Sequence, residues 1–337
     1  MTITLDDIAK ASGVHVSTVS RALNNAYGIH SDTRAKVLAT AKEIGYRPNR
    51  LAQGLARGRS RTLGLVITDI RNPYWTEVAR GAEDAAFAAG YDLVLCNSDL
   101  DAGKQTRYVY SLLEKRVAGI LMNAVTGLTR SVQEDLAQWN VPVVLLNAPR
   151  KGSSFSTVTT DTFEGGFLAG TYLVRLGHKS LAVLTGRVER SNLTDRVKGF
   201  MKAVNSSGEG AVATVVIRGA HTSEGGYEAA KKLLANHPKV TAIFAANDVM
   251  AFGVIRAIYE QGLKVPENIS VMGFDNLELS GIIRPPLSTI QCAKYEVGQA
   301  AVELLLKLAQ QKDAQLPEHL VFGVRLVERE SCRPPCK

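Results

Sequence analysis

From residue 62 onward the sequence alternates between short apolar runs and helical stretches, and this constrains the chain more than any other feature. Residues 63–68, 92–97, 119–123 and 142–146 read as strands, with helices over 73–90, 104–116 and 132–139 between them. A second series begins near Thr159. It has helices over 165–176, 195–204, 223–236 and 248–261, and strands over 180–184, 212–217, 242–245 and 269–273. The strands are near-continuous apolar runs, as parallel sheets covered on both faces require. Two such series predict two doubly wound α/β domains. Ligands of such sheets bind beyond the carboxyl ends of the strands, here in a cleft between lobes.

The first 61 residues obey a different pattern. Thr4 is placed to cap a helix, with Asp7 three residues on. Leu5 and Ile8 share one helical face, Gly13 supplies a turn and Val14 plugs it. A second helix over 16–23 turns Val19, Ala22 and Leu23 inward and His15, Ser17, Thr18, Ser20 and Arg21 outward. A third, over 32–44, has Ser31 as its cap, Val37, Leu38, Ala41 and Ile44 inward, and Gly45 as its stop. Taken alone, the first two helices fit a plain helical hairpin as well as a DNA-reading helix-turn-helix. Charge decides between them. The 337-residue chain carries a formal charge of +8, and its first 61 residues hold ten Lys and Arg against four Asp and Glu. A basic excess on a helix-turn-helix is a phosphate-binding footprint.

Pro48 then blocks helix continuation, Asn49 can cap a short new helix, and Gly54 weakens it. Alone this is a flexible basic linker; on DNA it is a segment that folds. The order TLDDIAKASGV, VSTVSRALN, TRAKVLATAKEIGYRPNRLAQGLA resembles the headpiece of the LacI/GalR family of bacterial transcription regulators, and the likeness continues to about Glu330. The resemblance implies that His15, Val16, Ser17 and Arg21 read bases, with Arg21 suited to guanine. It implies that Thr18, Asn24 and Tyr46 position the helix or touch phosphate. Asn49, Ala52, Gln53 and Leu55 fall on the family's minor-groove hinge helix, where Leu55 would wedge into a base step. Gln53 stands where members often carry Arg. The resemblance also implies a core like that of periplasmic sugar-binding proteins, crossed several times between lobes. The expected division is 1–47 headpiece, 48–61 hinge, 62–160 with 291–319 one lobe, 161–290 with 320–330 the other, and 331–337 a tail. The helix around residues 78–87 would belong to a dimer face.

Residues just after strands are the candidates for a small-molecule site. Tyr74 and Trp75, in DIRNPYW, can stack on a ring. By family resemblance Arg196 clamps the effector and Asp275 holds it. Asn247 offers a donor and an acceptor, while Asp248 can cap the helix that follows. Asp161 lies at a lobe crossover, and Arg190 and His221 lie in loops that reach the cleft. A sugar or sugar acid is the expected effector, with a nucleobase or nucleoside corepressor as the alternative. No G-x-G-x-x-G, phosphate loop, H-E-x-x-H or G-x-S-x-G occurs, so no catalytic residue, metal or cofactor is expected. A sugar-transport protein would share the core but has no use for a basic helix-turn-helix. No 18-residue apolar run or signal-like start appears, so the cytoplasm is the expected compartment. Cys332 and Cys336 form a CxxxC that could pair or bind metal. The expectation is a homodimeric repressor of carbohydrate-utilisation genes on a pseudo-palindromic operator.

Overall fold

The computed structural model describes residues 3–24, 27–46, 60–124, 127–148, 153–186, 192–206, 213–310 and 316–336. The hinge candidates Asn49, Ala52, Gln53 and Leu55 lie outside these residues, as does Arg190. The chain divides into two units, residues 1–60 and 61–337.

The first unit holds α1 (Leu5–Ser12), α2 (Val16–Leu23) and α3 (Ser31–Glu43). Thr4 and Asp7 form a reciprocal capping box: the Asp7 amide donates to Thr4 Oγ1 and the Thr4 amide to Asp7 Oδ2, at 2.8 Å. The Thr4 amide and then the Thr4 hydroxyl, both donating to Asp7 Oδ2, hold the Asp7 carboxyl below its usual range. Gly13 takes the left-handed turn at φ +67°. Ile8, Val19 and Val37, with Ala9, Ala22 and Ala41, make the core. Leu38 does not join it and is 47% exposed. Val37 and Ala41 lie four apart on one stripe, and Leu38 is rotated about 100° off it. Nor does Ser31 cap α3: it is the first helical residue, and His30 sits at the cap without a side-chain bond.

The second unit contains two parallel sheets. The first runs β2 (Asp92–Asn97), β1 (Thr62–Ile67), β3 (Gly119–Met122), β4 (Val143–Leu146), β5 (Ser156–Thr160) and β11 (His319–Phe322). Around it lie α4 (Pro73–Ala88), α5 (Ala102–Glu114), α6 (Arg130–Gln138) and α12 (Lys294–Gln310). The second runs β7 (Ala213–Gly219), β6 (Ser180–Gly186), β8 (Ala242–Ala245) and β9 (Ser270–Met272). Its helices are α7 (Thr162–Arg175), α8 (Asn192–Ser206), α9 (Ser223–Asn236), α10 (Asp248–Glu260) and α11 (Glu278–Ile282). Strands β3, β4 and β8 are buried at every residue, which is why their sequences are apolar throughout rather than alternating.

The lobe boundaries differ from the sequence division at two places. Residues 320–322 belong to the first lobe, because β11 pairs in parallel with β5 through Phe322 opposite Thr160. The chain then returns as β12 (Arg325–Val327), antiparallel to β10 (Thr289–Gln291). Residues 331–336 are part of the second lobe's fold rather than a tail. β9 is an edge strand, and its open backbone groups are taken by this segment: the Val271 amide donates to the Ser331 carbonyl, and Ser331 Oγ and Cys332 Sγ donate to the Val271 carbonyl. His178 Nε2 bonds the Arg333 carbonyl at 3.0 Å and fastens the end. The thiols of Cys332 and Cys336 are both free, so the CxxxC forms no disulfide.

Helices α4 and α12 approach closely. A Cβ at residue 81 would collide with the Tyr295 carbonyl, and one at residue 298 with the Val78 carbonyl. Val78, Ala82 and Ala86 are buried in the core, so they are not available to a dimer face. Phe87, 76% exposed, is. No helix among the described residues is long and apolar enough to cross a membrane.

Candidate functional site

In the headpiece, α2 presents the predicted readers unequally. Ser17 and Arg21 are exposed. His15 is the N-cap of α2: its Nδ1 accepts from the Ser17 amide at 3.3 Å and pairs with Ser17 Oγ at 2.9 Å. The Nε2 edge of the imidazole faces away from that contact. Val16 and Tyr46 are half-buried against the headpiece core, so they brace the helix as well as edge it. Thr18 is half-buried, and Asn24, at the end of α2, donates to the Ser20 carbonyl.

In the core, the carboxyl ends of the strands gather a buried polar cluster. Arg196, on α8, is its centre. Its Nη2 lies 3.3 Å from Asp275 Oδ1, and the two side chains are 4% and 3% exposed. Nη1 donates to the Ala246 carbonyl. The guanidinium carbon sits 3.7 Å over the Phe274 ring, a stacked cation–π contact. Its Nε is buried with no hydrogen-bond partner among the described residues. Three polar atoms share that condition on residues at strand ends or just beyond them: Asn147 Oδ1 after β4, Thr160 Oγ1 closing β5, and His221 Nε2 after β7. Buried polar atoms left unsatisfied are costly, and a polar molecule entering among them would supply the missing bonds.

Asp275 is carried on an unusual backbone, at φ +111°, followed by Asn276 at φ +48°. Both are left-handed conformations that side chains resist. The loop is held from several directions. The Asp275 amide donates to the Ile290 carbonyl at 2.8 Å. The Leu277 amide donates to Asp248 Oδ2 at 2.8 Å. Asp248 also accepts from Ser280 Oγ and Thr289 Oγ1, each at 2.6 Å. Burial pushes the Asp275 carboxyl up to about 7, against the pull of Arg196. Burial likewise raises Asp248 to about 6, against its hydroxyl donors.

On the first lobe, the Tyr74 hydroxyl accepts from Asn147 Nδ2 at 2.8 Å. Burial raises the Tyr74 phenol far above its usual value, so it stays neutral. Trp75 stands edge-on to Tyr74, centroids 5.1 Å apart, and is itself buried in the core. Two candidates also serve local structure. Asp161 caps α7, its Oδ1 accepting from the Glu164 amide at 3.0 Å. Asn247, not Asp248, caps α10, its Oδ1 accepting from the Met250 amide at 2.7 Å. Asp248 turns into the protein and ties the Asp275 loop. The sequence reading missed Asn147 and Phe274. Asn147 lies directly after a strand, in VVLLN, the placement that singled out the other candidates.

His221 lies against Gly186, where any side chain would overlap its ring. Burial first, and then the nearby Arg196 charge, lower it to about 4. A base whose folded pKa falls below its unfolded value of about 6.5 stabilises above that value and loses the contribution as pH falls toward 4. His221→Gln therefore gains on the parent as the solution is acidified from pH 6.5. The difference approaches about 3 kcal/mol at pH 4, read as the gap between thermal melts of the two chains across that range.

Two family models match the chain. One, described as "Bacterial regulatory proteins, lacI family", covers residues 4–49. The other, "Periplasmic binding proteins and sugar binding domain of LacI family", covers residues 60–330. Catabolite control protein A of Priestia megaterium is 36% identical over 328 residues, 96% of this chain and 98% of that protein. The HTH-type transcriptional repressor PurR of Pectobacterium carotovorum is 35% identical over 331 residues, 97% of this chain and 96% of that protein. The Lac repressor dimer bound to operator and the anti-inducer ONPF superposes with a TM-score of 0.85 at 30% identity, over 99% of this chain and 100% of that one.

Proposed function

The chain belongs to the LacI family of bacterial regulatory proteins, and from that premise we propose that it is a dimeric transcriptional repressor whose effector is a neutral sugar. It acts in the cytoplasm by binding, not by turnover. The observation that carries the effector reading is the buried Arg196–Asp275 pair with unsatisfied polar atoms around it. A sugar offers a hydroxyl to each: an acceptor for Arg196 Nε, and donors for Asn147 Oδ1 and Asp275. An acid fits less well. Arg196 is already paired with Asp275 Oδ1 at 3.3 Å, and His221 is a neutral imidazole at pH 7.

Dimerisation is supported by the Lac repressor dimer, which this chain matches along its whole length. It also suits the exposed apolar side chains of the core. Phe87 ends α4, and Leu279 and Ile282 lie on α11, at 48% and 61% exposure. A groove of about 360 Å³ lined by Phe252, Ile255 and Tyr259 opens nearby.

The test is thermal melting of the full chain against neutral sugars, sugar acids and purine bases, followed by operator binding with and without each hit. The expected result is a shift from a neutral sugar that also changes operator affinity. A shift from purine bases and from no sugar overturns the effector reading. Operator binding itself should weaken steeply with salt, because phosphate contacts release counterions.

A further inference from the structure

The effector-site loop of the second lobe is gripped by a residue of the first. Lys294 occupies the first turn of α12, a helix that packs on α4 and on β3, β4 and β5. Its ammonium reaches back across the crossover. It donates to the Asp275 carbonyl at 2.7 Å and to the Asn276 carbonyl at 3.1 Å. These are the two residues with left-handed backbone, so the ammonium holds the part of the loop that resists its own conformation. It also places a positive charge beside the buried carboxyls of Asp275 and Asp248.

The Asn276 side chain is fastened to the other two strands of the crossover. Its Oδ1 accepts from Arg329 Nη2 at 2.7 Å, and its Nδ2 donates to Gln291 Oε1 at 3.3 Å. Gln291 Oε1 also accepts from Arg325 Nε and Nη2. The grip continues beyond Lys294. Tyr295 presses its carbonyl against Gly81 of α4, and its hydroxyl donates to Asp84 at 2.9 Å. The first turn of α4 carries Tyr74, which bonds Asn147 on the first-lobe side of the site. A continuous chain of contacts thus runs from the Asp275–Asn276 loop through Lys294 and α12 to α4, the helix that carries Tyr74.

We propose that Lys294 is a strut between the lobes: a positioning residue that makes the Asp275–Asn276 loop and the α12–α4 pair move as one body. A ligand that bears on Asp275 then acts on the first lobe through this ammonium. The proposal rests on the sugar-effector reading only for what the strut transmits. The strut itself is tested without ligand, so failure of a sugar titration and failure of the strut are separate results.

The experiment is hydrogen–deuterium exchange on the ligand-free, full-length chain, comparing the parent with Lys294→Met, Lys294→Gln and Lys294→Arg. In the Met and Gln variants the amides of residues 275–277 should exchange at least tenfold faster. So should those of the first turns of α12 and those of α4 around Gly81, while β8 stays at the parent's rate and reports an intact sheet. Lys294→Arg should restore most of the protection, since a guanidinium can donate to the same two carbonyls. Faster exchange confined to residues 275–277 makes Lys294 a local brace and overturns the strut. So does unchanged exchange in every variant.

Discussion

Arg196→Met should abolish sugar binding and lower the melting temperature of the core by roughly 6–12 °C, from a loss of about 3 kcal/mol. Three partners lose the guanidinium at once. Asp275 loses a buried counter-ion at 3.3 Å, the Ala246 carbonyl loses a donor, and the Phe274 face loses its cation. Removing one member of a buried pair costs about 3–5 kcal/mol, because the survivor keeps its desolvation penalty. Here the survivor can escape part of that penalty. Burial has already pushed Asp275 up to about 7, so without Arg196 it keeps its proton at neutral pH. The lower end of the range is therefore expected.

The pH dependence follows from the sign of that shift. An acid raised above its unfolded value of about 3.9 contributes fully below that value and loses the contribution as pH rises to the folded pKa. In the parent this loss is complete a little above pH 7. In the variant the folded pKa is higher still, so the loss continues, and the gap between the two chains should widen from pH 7 to pH 9. Replacing both partners, as in Arg196→Met with Asp275→Leu, should recover much of the stability and none of the binding. A sugar-induced melting shift that survives Arg196→Met would place the effector elsewhere.

The α/β core was legible because every strand of a sheet covered on both faces must be apolar, and GILM, VVLL and AIFA advertise that. What escaped was the pairing of short, late strands. HLVF carries no mark of which sheet it joins: its first three residues are exposed, and its ladder to β5 places it. The terminal SCRPPCK looks like a tail because its two prolines exclude helix and sheet. Its role depends on the open edge of β9, a fact of tertiary structure. At the site, Arg196 and Asp275 were predictable as residue types and positions. Their mutual contact was not, since 79 residues separate them. Asn247 and Asp248 show the limit of local reasoning. Either can cap a helix, and only the positions of Ser280 and Thr289 explain why Asp248 turns inward and Asn247 takes the cap.

Ile8→Ala should eliminate specific operator binding while leaving sugar binding and the melting of the core unchanged. Among the described residues, six buried apolar side chains make the headpiece core, and only Ile8, Val19 and Val37 of them are larger than alanine. At about 0.05–0.15 kcal/mol per residue, a module of this size has a few kcal/mol of stability in all. Truncating a buried Ile to Ala costs about 2–5 kcal/mol, which is comparable to the whole. The helices would then lack the packing that short helices need, and α2 would no longer be held as a rigid reader. Arg21→Ala separates folding from reading. Arg21 is exposed, so its loss leaves the headpiece core intact. It should cost about 1–3 kcal/mol of discrimination at one base pair, with non-specific binding reduced much less. Anisotropy titrations on an operator and on a scrambled duplex, at two salt concentrations, distinguish the two variants. Ile8→Ala should bind both duplexes alike, whereas Arg21→Ala should keep a reduced preference. If Ile8→Ala retained the parent's preference, the base-reading surface would have to lie outside the three-helix unit.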